Sequence, residues 1–314
     1  MSLIADADFV DLYLGHDFAD VKGLAGQPRK MPVPAEWASE ILELKAQCLR
    51  QFETTREPEF ALVLEERVLL RVTYILDVFA KPFFVLNRSR ATILALDDLG
   101  LPDHIHDCLL NEHTRGLVYV VGEMGAGKTS TAASAVKARL TSLGGLGLTV
   151  EDPPETLLQG EHGPGRCIQL PVSRAQGGYS ETLIRALRTR ADLILVGEVR
   201  DTPTAVEVIK ASINGHLIFS TGHGRDVSNG IKRLAVLAEP VMPNALEVLS
   251  QGLTAVIHQA LYRPDHGQPR LTLQCLSLSQ DDAPSIREKI RNGHLQMIEQ
   301  DIVAQSNRSL WHGQ

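Results

Sequence analysis

The most informative part of this chain of 314 residues is Gly122-Glu-Met-Gly-Ala-Gly-Lys128-Thr129. An apolar run, Gly116-Leu-Val-Tyr-Val-Val121, precedes it, and small residues with helical preference follow it from Ser130 to Lys137. A Gly-x-x-x-x-Gly-Lys-Thr sequence between a buried strand and a helix is typical of a loop that binds the phosphates of a nucleotide. The alternative, an ordinary glycine-rich turn, does not require the full motif and both of its flanks.

This phosphate loop also predicts its cofactors. Its glycines allow a tight turn, and its amides, with the positive end of the following helix, point at phosphate oxygens. We expect Lys128 to reach the β- and γ-phosphates of ATP and Thr129 to bind Mg²⁺. The predicted nucleotide-binding residues are Gly122, Glu123, Met124, Gly125, Ala126, Gly127, Lys128, Thr129 and Ser130.

The composition argues against several classes of protein. A formal charge of −7 and an isoelectric point near 5.9 give no basic surface for nucleic acid, so we expect no direct nucleic-acid partner. No apolar run approaches the roughly 20 residues that span a bilayer, and the N-terminus lacks the basic region of a signal peptide. We therefore expect a cytoplasmic protein. The 4 cysteines form no Cys-x-x-Cys pair and are interpreted as buried thiols.

The first part of the chain predicts a small α+β domain over residues 1–92. From Pro34 onward a helix is indicated by apolar residues at helical spacing, namely Trp37, Ile41, Leu44, Cys48 and Phe52. Two short segments rich in apolar and β-branched residues, Phe60–Leu64 and Val68–Leu76, are predicted to be strands. They are separated by two glutamates and an arginine, which indicates a hairpin. Residues 93–114 are predicted to connect this domain to a nucleotide domain over residues 115–314.

After the phosphate loop, strand-like and helix-like segments alternate. Alternation of this kind predicts an α/β fold with a mainly parallel sheet covered on both faces. The segments are Leu146–Val150, Ser180–Arg190, Leu193–Val196, Thr204–Ile213 and Leu217–Phe219.

Three of these strands are followed by residues suited to phosphate chemistry. Glu151 and Asp152 end one strand before a proline pair, and such carboxylates can orient a water or hold a metal's water shell. Taken alone, they fit a turn with solvated acids better, because acid-proline turns are common, and the two stretches that follow reverse this preference. Glu198 follows the apolar segment Leu193–Val196, as does the acid of a Walker B element, which lies beside Mg²⁺. The alternative is an ordinary buried strand followed by a polar loop. His223 follows the last strand and is a candidate contact for the γ-phosphate, whereas His216 is as easily a packed histidine.

These four stretches, in this order, resemble the Walker A, Asp box, Walker B and His box of the secretion ATPase superfamily, the hexameric motors of type IV pili, type II secretion and type IV secretion. The resemblance extends from about Leu99 to Glu299. Ile286-Arg-Glu-Lys-Ile-Arg291 resembles a C-terminal segment of pilus retraction ATPases, and the chain lacks a four-cysteine zinc module, which favours the retraction-like or conjugation-type (Dot/Icm-like) branch.

The resemblance implies a RecA-like ATPase domain after a PAS-like domain, in a homohexamer at the inner membrane beneath a platform protein. Membrane association would be peripheral and through partners. Glu151 would be the general base, Glu198 would hold the Mg²⁺ shell, and His223 would contact the γ-phosphate. Arg71 and Arg88 would reach a neighbouring subunit's nucleotide, although a solvated strand face explains them equally well.

Departures from the family pattern keep a second function open. Met124 and Ala126 stand where the family usually has a hydroxyl residue, Arg190 and Ala191 replace an acid and a proline, and Gly222 replaces a bulkier residue. A regulatory subunit that binds nucleotide with little turnover is therefore the main alternative. A P-loop phosphotransferase is a weaker one, because no acceptor-site motif is visible.

Overall fold

The computed structural model describes residues 2–89, 93–262 and 270–312. The chain divides into two compact units. The first unit comprises Met1–Ala91 with Glu151–Leu157 and Pro171–Gly178, and the second comprises Thr92–Val150, Leu158–Leu170 and Tyr179–Gln314.

The first unit is built on a six-stranded antiparallel sheet of order β3-β2-β1-β6-β5-β4. Its regular elements are α1 (Leu3–Asp6), β1 (Asp11–Leu14), β2 (Ala19–Lys22), β3 (Lys30–Pro32), α2 (Ala38–Thr55), β4 (Glu59–Leu64), β5 (Val68–Leu76) and β6 (Pro82–Arg88), with 3₁₀ turns at Leu24–Gly26, Ala35–Trp37 and Arg174–Gln176. The predicted hairpin is confirmed, since β4 and β5 pair in register from Glu59 and Thr73 to Leu64 and Val68.

Helix α2 supplies the core of the first unit. Ile41, Leu44 and Cys48 recur at helical spacing and are buried in the cluster that holds the inward side chains of the sheet, which confirms the predicted helix. The helix ends where Arg56 takes a left-handed conformation and its N–H returns to the carbonyl of Phe52 at 2.7 Å. Such a terminus is common where a helix must stop before a strand.

The second unit is built on an eight-stranded sheet of order β14-β13-β7-β12-β11-β8-β10-β9. Its helices and strands are α3 (Asp103–Leu110), β7 (Gly116–Gly122), α4 (Lys128–Leu143), β8 (Gly145–Glu151), β9 (Gly160–His162), β10 (Gly165–Pro171), α5 (Gly178–Leu187), β11 (Leu193–Val196), α6 (Thr202–Ile213), β12 (Leu217–Gly222), α7 (Val227–Ala238), α8 (Ala245–Gly252), β13 (Leu253–Tyr262), β14 (Arg270–Ser277), α9 (Ala283–Arg291) and α10 (Ile298–His312), with 3₁₀ turns at Leu96–Leu99 and Leu295–Met297.

The centre of this sheet is parallel, as predicted. Strands β13, β7, β12, β11 and β8 pair in parallel, while β14 pairs antiparallel with β13 and β9 pairs antiparallel with β10. Strand β7 is buried along its whole length, which is typical of a strand with helices on both faces. The carboxyl ends of β7, β12, β11 and β8 consequently share one edge of the sheet.

The structure differs from the sequence-based expectation in two parts of the chain. Residues 93–114, predicted to connect two domains, contribute Leu96, Leu99, Ile105 and Leu109 to the buried core of the second unit. Helix α5 ends at Leu187, three residues before the predicted end at Arg190. Arg190 has a φ of 60°, which a continuing helix does not allow.

None of the described helices is long and apolar enough to cross a bilayer.

Candidate nucleotide site

The phosphate loop connects the buried end of β7 to the first turn of α4, as predicted. Gly125 and Gly127 have φ values of 74° and 87°, which only glycine adopts without strain. The loop therefore turns tightly, with the amide of Ala126 donating to the carbonyl of Glu123 at 3.3 Å, and it leads directly into a helix of 16 residues. Backbone amides in this arrangement form a cradle for phosphate oxygens.

Lys128 and Thr129 lie in the first turn of α4. The Lys128 side chain is largely buried, and its ammonium donates to the carbonyl of Glu123 at 2.9 Å, on the opposite side of the loop. The ammonium is thus held across the cradle rather than in solvent. Thr129 occupies the position next to it, from which the motif predicts a hydroxyl ligand for Mg²⁺.

Gln259 on β13 contacts the phosphate loop and supports it. None of the sequence motifs predicted a role for this residue. It pairs with Gly122 in the sheet, is 1% exposed, and its amide nitrogen donates to the carbonyl of Ala126. A Cβ at Gly127 would lie 3.2 Å from the same nitrogen. The sequence signal for this contact is a glutamine inside the mainly apolar strand β13, because a buried side-chain amide needs a hydrogen-bond partner.

We expect Gln259→Leu to weaken nucleotide binding about tenfold while the protein stays folded. The substitution leaves the buried Ala126 carbonyl without its donor, which costs about 1–3 kcal/mol and acts directly on the loop. Isothermal titration with ATP and a thermal melt measure the two effects. Gln274→Leu is the matched control, since Gln274 lies on the adjacent strand β14, in register with His258. Equal losses of affinity in both variants would contradict the assigned role.

Glu198 and His223 come together after β11 and β12. Nε2 of His223 lies 2.8 Å from Oε1 of Glu198, although the two atoms are not aligned for a hydrogen bond. The other oxygen of Glu198 accepts from Arg200, at 2.8 Å from Nε and 2.6 Å from Nη2. Glu198 is therefore a mostly buried carboxylate, with one oxygen bonded to Arg200 and the other beside the imidazole of His223.

This geometry fits Mg²⁺. The ion usually keeps several waters and is bound through one or two protein side chains and the substrate's phosphates. The buried Oε1 of Glu198 has no hydrogen-bond partner among the described residues, and Thr129 stands at the helix start. Groups of three or more His, Cys, Asp or Glu side chains that could hold a metal by themselves are absent from the described part of the chain.

His258 is a further titratable group near the loop. It precedes Gln259 on β13 and is mostly buried. Burial lowers its pKa, and the opposing charges of Asp226 and Glu123 do not offset that effect. The imidazole is consequently neutral at pH 7 and adds no charge to the site.

Glu151 ends β8 and is 2% exposed, so it is not the solvated acid of an ordinary turn. Its carbonyl accepts from the amide of Val172 at 2.8 Å. Asp152 is its neighbour, with one carboxylate oxygen 3.5 Å from Nη2 of Arg174. Both belong to the first unit together with the loop that follows them.

Arg71 and Arg88 lie on β5 and β6 of the first unit and are already engaged there. Nη1 of Arg71 donates to Oε1 of Glu155 at 3.0 Å, in a pair that is about half exposed on both sides. Arg88 donates to the carbonyl of Ala7, and its guanidinium carbon lies 5.3 Å from the ring centre of Phe9. Their action on a neighbouring subunit's nucleotide stays a prediction.

The sequence resembles proteins of pili and secretion systems. A Twitching motility protein of Neisseria gonorrhoeae is 26% identical over 87% of this chain and 72% of its own. A Type IV pilus retractation ATPase PilT of Pseudomonas aeruginosa is 34% identical over 54% of this chain and 49% of its own. The Type II secretion system ATPase E of Vibrio cholerae is 33% identical over 58% of this chain and 35% of its own. The chain thus spans only about half or a third of the last two relatives.

Solved structures share the fold. The pilus retraction motor PilT with bound ADP superposes with a TM-score of 0.75 at 23% identity, covering 96% of this chain and 89% of its own. The Legionella pneumophila ATPase DotB gives a TM-score of 0.72 at 17% identity, with 93% and 84% covered. These likenesses confirm the predicted RecA-like α/β fold after a smaller domain. The family model described as Type II/IV secretion system protein matches residues 61–312. The chain therefore belongs to the type II/IV secretion system protein family.

Proposed function

We propose that this protein hydrolyses ATP in a Mg²⁺-dependent reaction as a homohexameric motor. The observation that carries the proposal is the shared edge of the parallel sheet. There β7 leads into the phosphate loop, and β12 and β11 bring His223 and Glu198 within 2.8 Å of each other. Phosphoryl transfer depends on positioned water and on stabilised charge rather than on covalent catalysis, which is what these residues supply.

Each residue then has a separate task. The loop amides and Lys128 hold the phosphates, and Thr129 with Glu198 holds the metal and its water shell. Mg²⁺ held by Thr129 and Glu198 would supply positive charge against the negative charge that develops on the phosphates. Glu151 accepts the proton of the attacking water, and His223 contacts the γ-phosphate.

The relatives suggest the machine. They are named for twitching motility, pilus retraction and type II secretion, and a fold neighbour is DotB. We assign the chain to a pilus motor of the retraction type or to a type IV secretion or conjugation machine. It would work in the cytoplasm, peripherally at the inner membrane, docked to a platform protein.

The test is phosphate release by the purified chain with ATP, at protein concentrations that span assembly, with Mg²⁺ or with a chelator. We expect turnover that needs Mg²⁺ and rises with the hexamer fraction seen in sedimentation. Release that is absent even in the hexamer would favour the alternative, a regulatory subunit that holds nucleotide with little turnover. The bond of Glu198 to Arg200 favours that alternative, because the carboxylate must share its charge with an arginine.

A further prediction concerns the arginines of the first unit. We expect Arg71→Ala and Arg88→Ala to lower turnover and to make it less dependent on protein concentration, because each would remove positive charge from a neighbour's phosphates. Specific activity against concentration, measured alongside sedimentation, gives the result. Arg71→Ala should leave the subunit folded, since half-exposed ion pairs contribute about 0–1 kcal/mol.

Arg67→Ala is the matched control, because Arg67 lies in the same unit and is paired with Asp6 and Glu65 at the surface. It should leave turnover and its concentration dependence unchanged. Parent-like behaviour of both the Arg71 and Arg88 variants would assign those arginines to the structure of their own unit alone.

A further inference from the structure

A cavity of about 620 Å³ lies within the second unit, beside the candidate nucleotide site. Its walls come from the middle of β7, the segments after β11 and β12, and one face of α7. Glu198 and His223 line it, but the residues of the phosphate loop do not. The cavity therefore shares Glu198 and His223, as a common wall, with the candidate nucleotide site.

The floor of this cavity is Tyr119, and its presence depends on Gly222. Tyr119 is 1% exposed, and its hydroxyl end reaches the cavity from the centre of β7. The Cβ of any other residue at position 222 would overlap the Tyr119 hydroxyl oxygen. Gly222, which departs from the family pattern, is thus the residue that leaves room for the tyrosine.

The Tyr119 hydroxyl has no hydrogen-bond partner among the residues that the structure describes. Tyr119 lines the cavity, and its hydroxyl is not one of the fully buried polar atoms that lack a partner, so the hydroxyl is available to a group held in the cavity. Burial and the charge of Glu198 raise the pKa of Tyr119, and Arg233 only partly opposes them. A tyrosine hydroxyl ordinarily has a pKa of about 10, so at neutral pH it keeps its proton and can donate a hydrogen bond into the cavity.

The cavity is also positively charged. Lys232 and Arg233 on α7 line it, and neither has a carboxylate partner in the described ranges. Arg233 is near enough to Tyr119 for its charge to act on the hydroxyl. The acid in the lining is Glu198, and one of its oxygens is bound by Arg200. The positive charge of Lys232 and Arg233 therefore favours binding of an anion, and the Tyr119 hydroxyl favours one that accepts a hydrogen bond.

We propose that this cavity binds a phosphate group, with Tyr119 donating to one of its oxygens and Lys232 and Arg233 neutralising its charge. Arginine and lysine are the side chains that proteins use for phosphate, and hydrogen bonds to charged oxygens are the stronger ones. The volume admits inorganic phosphate or a larger phosphorylated molecule. The phosphate comes either from ATP hydrolysed across the shared wall, which rests on the proposed function, or from solution.

Binding of inorganic phosphate tests the site directly. Isothermal titration is carried out on the full chain carrying Lys128→Ala, which disables the phosphate loop. We expect one phosphate site to remain, to weaken about tenfold or more with Tyr119→Phe, which removes one hydrogen bond to a charged group, and to weaken similarly with Arg233→Gln. Lys137→Gln, which removes an exposed charge from α4, should change nothing.

The phenylalanine variant keeps the ring, so a thermal melt should match that of its background. Loss of all phosphate binding with Lys128→Ala alone would place the anion in the phosphate loop and overturn the proposal. An unchanged affinity with Tyr119→Phe would overturn it as well.

Single-turnover hydrolysis distinguishes the two sources. If the cavity receives product phosphate, Tyr119→Phe should speed phosphate release several-fold and leave ADP release unchanged. If the cavity fills from solution, release is unaltered, and added phosphate changes turnover in the parent but not in Tyr119→Phe. A chain that hydrolyses no ATP would contradict the proposed function, whereas the titration would still decide the cavity's ligand.

Discussion

Lys128→Ala should weaken ATP binding by about tenfold to a hundredfold and reduce hydrolysis to background. Its ammonium is the mobile positive charge of the cradle, held across the loop by the carbonyl of Glu123 at 2.9 Å. A hydrogen bond to a charged group contributes about 1.5–3 kcal/mol, and the ammonium is expected to serve more than one phosphate oxygen. Titration with ATP measures the binding affinity, and a phosphate-release assay measures the rate of hydrolysis.

Two further variants make the result specific. Lys128→Met keeps most of the buried aliphatic stem, so an equal loss in this variant assigns the effect to charge rather than to packing. Lys137→Ala removes an exposed lysine from the same helix and should bind and hydrolyse ATP like the parent. Undiminished hydrolysis in both Lys128 variants would remove the phosphate loop from the reaction altogether.

Glu151→Gln should keep ATP binding while hydrolysis falls by about 10² to 10⁴, the range for losing a positioned base. The amide keeps the size and most hydrogen bonds of the carboxylate but cannot accept the proton of water. Glu151 is 2% exposed, so a melt must accompany the assay to show that the buried amide is accommodated. Glu161→Gln is the control for changing a carboxylate after β8, because Glu161 is exposed and pairs with Arg166, which has no assigned role in the site.

Glu198→Gln separates the two acids. If Glu198 holds the water shell of the metal, its amide variant should need more Mg²⁺ for half-maximal turnover, whereas Glu151→Gln should titrate like the parent. The experiment is a Mg²⁺ titration at saturating ATP for the parent and both variants. Coincident titration curves for the two variants would show that the roles are not divided in this way.

The local features of the fold could be predicted from the sequence. The strand, loop and helix around Lys128 are encoded in contiguous residues, because glycine spacing and apolar runs act over one or two turns of chain. The same holds for the hairpin of Phe60–Leu64 with Val68–Leu76, and for the parallel sheet, whose strands alternate with helices along the chain. The family followed from the order of these segments.

Other contacts at the site depend on which strands are neighbours in the sheet. The hydrophobic periodicity of the sequence does not predict the order of the strands. Gln259 supports Ala126 across 133 positions because β13 pairs with β7. The departure at Gly222 became interpretable only when β12 lay beside β7 and brought that position against the Tyr119 hydroxyl.

The phosphate loop, the α/β class and the candidate acids could thus be predicted from short segments of the chain. Which of these segments come into contact depends on how the chain folds. Folding brings His223 within 2.8 Å of Glu198, engages Arg88 with Ala7 and Phe9, and groups Glu151–Leu157 with the first unit. Strand order and register set such contacts between residues far apart in the chain, and a one-residue change of register would turn every side chain of a strand to the other face.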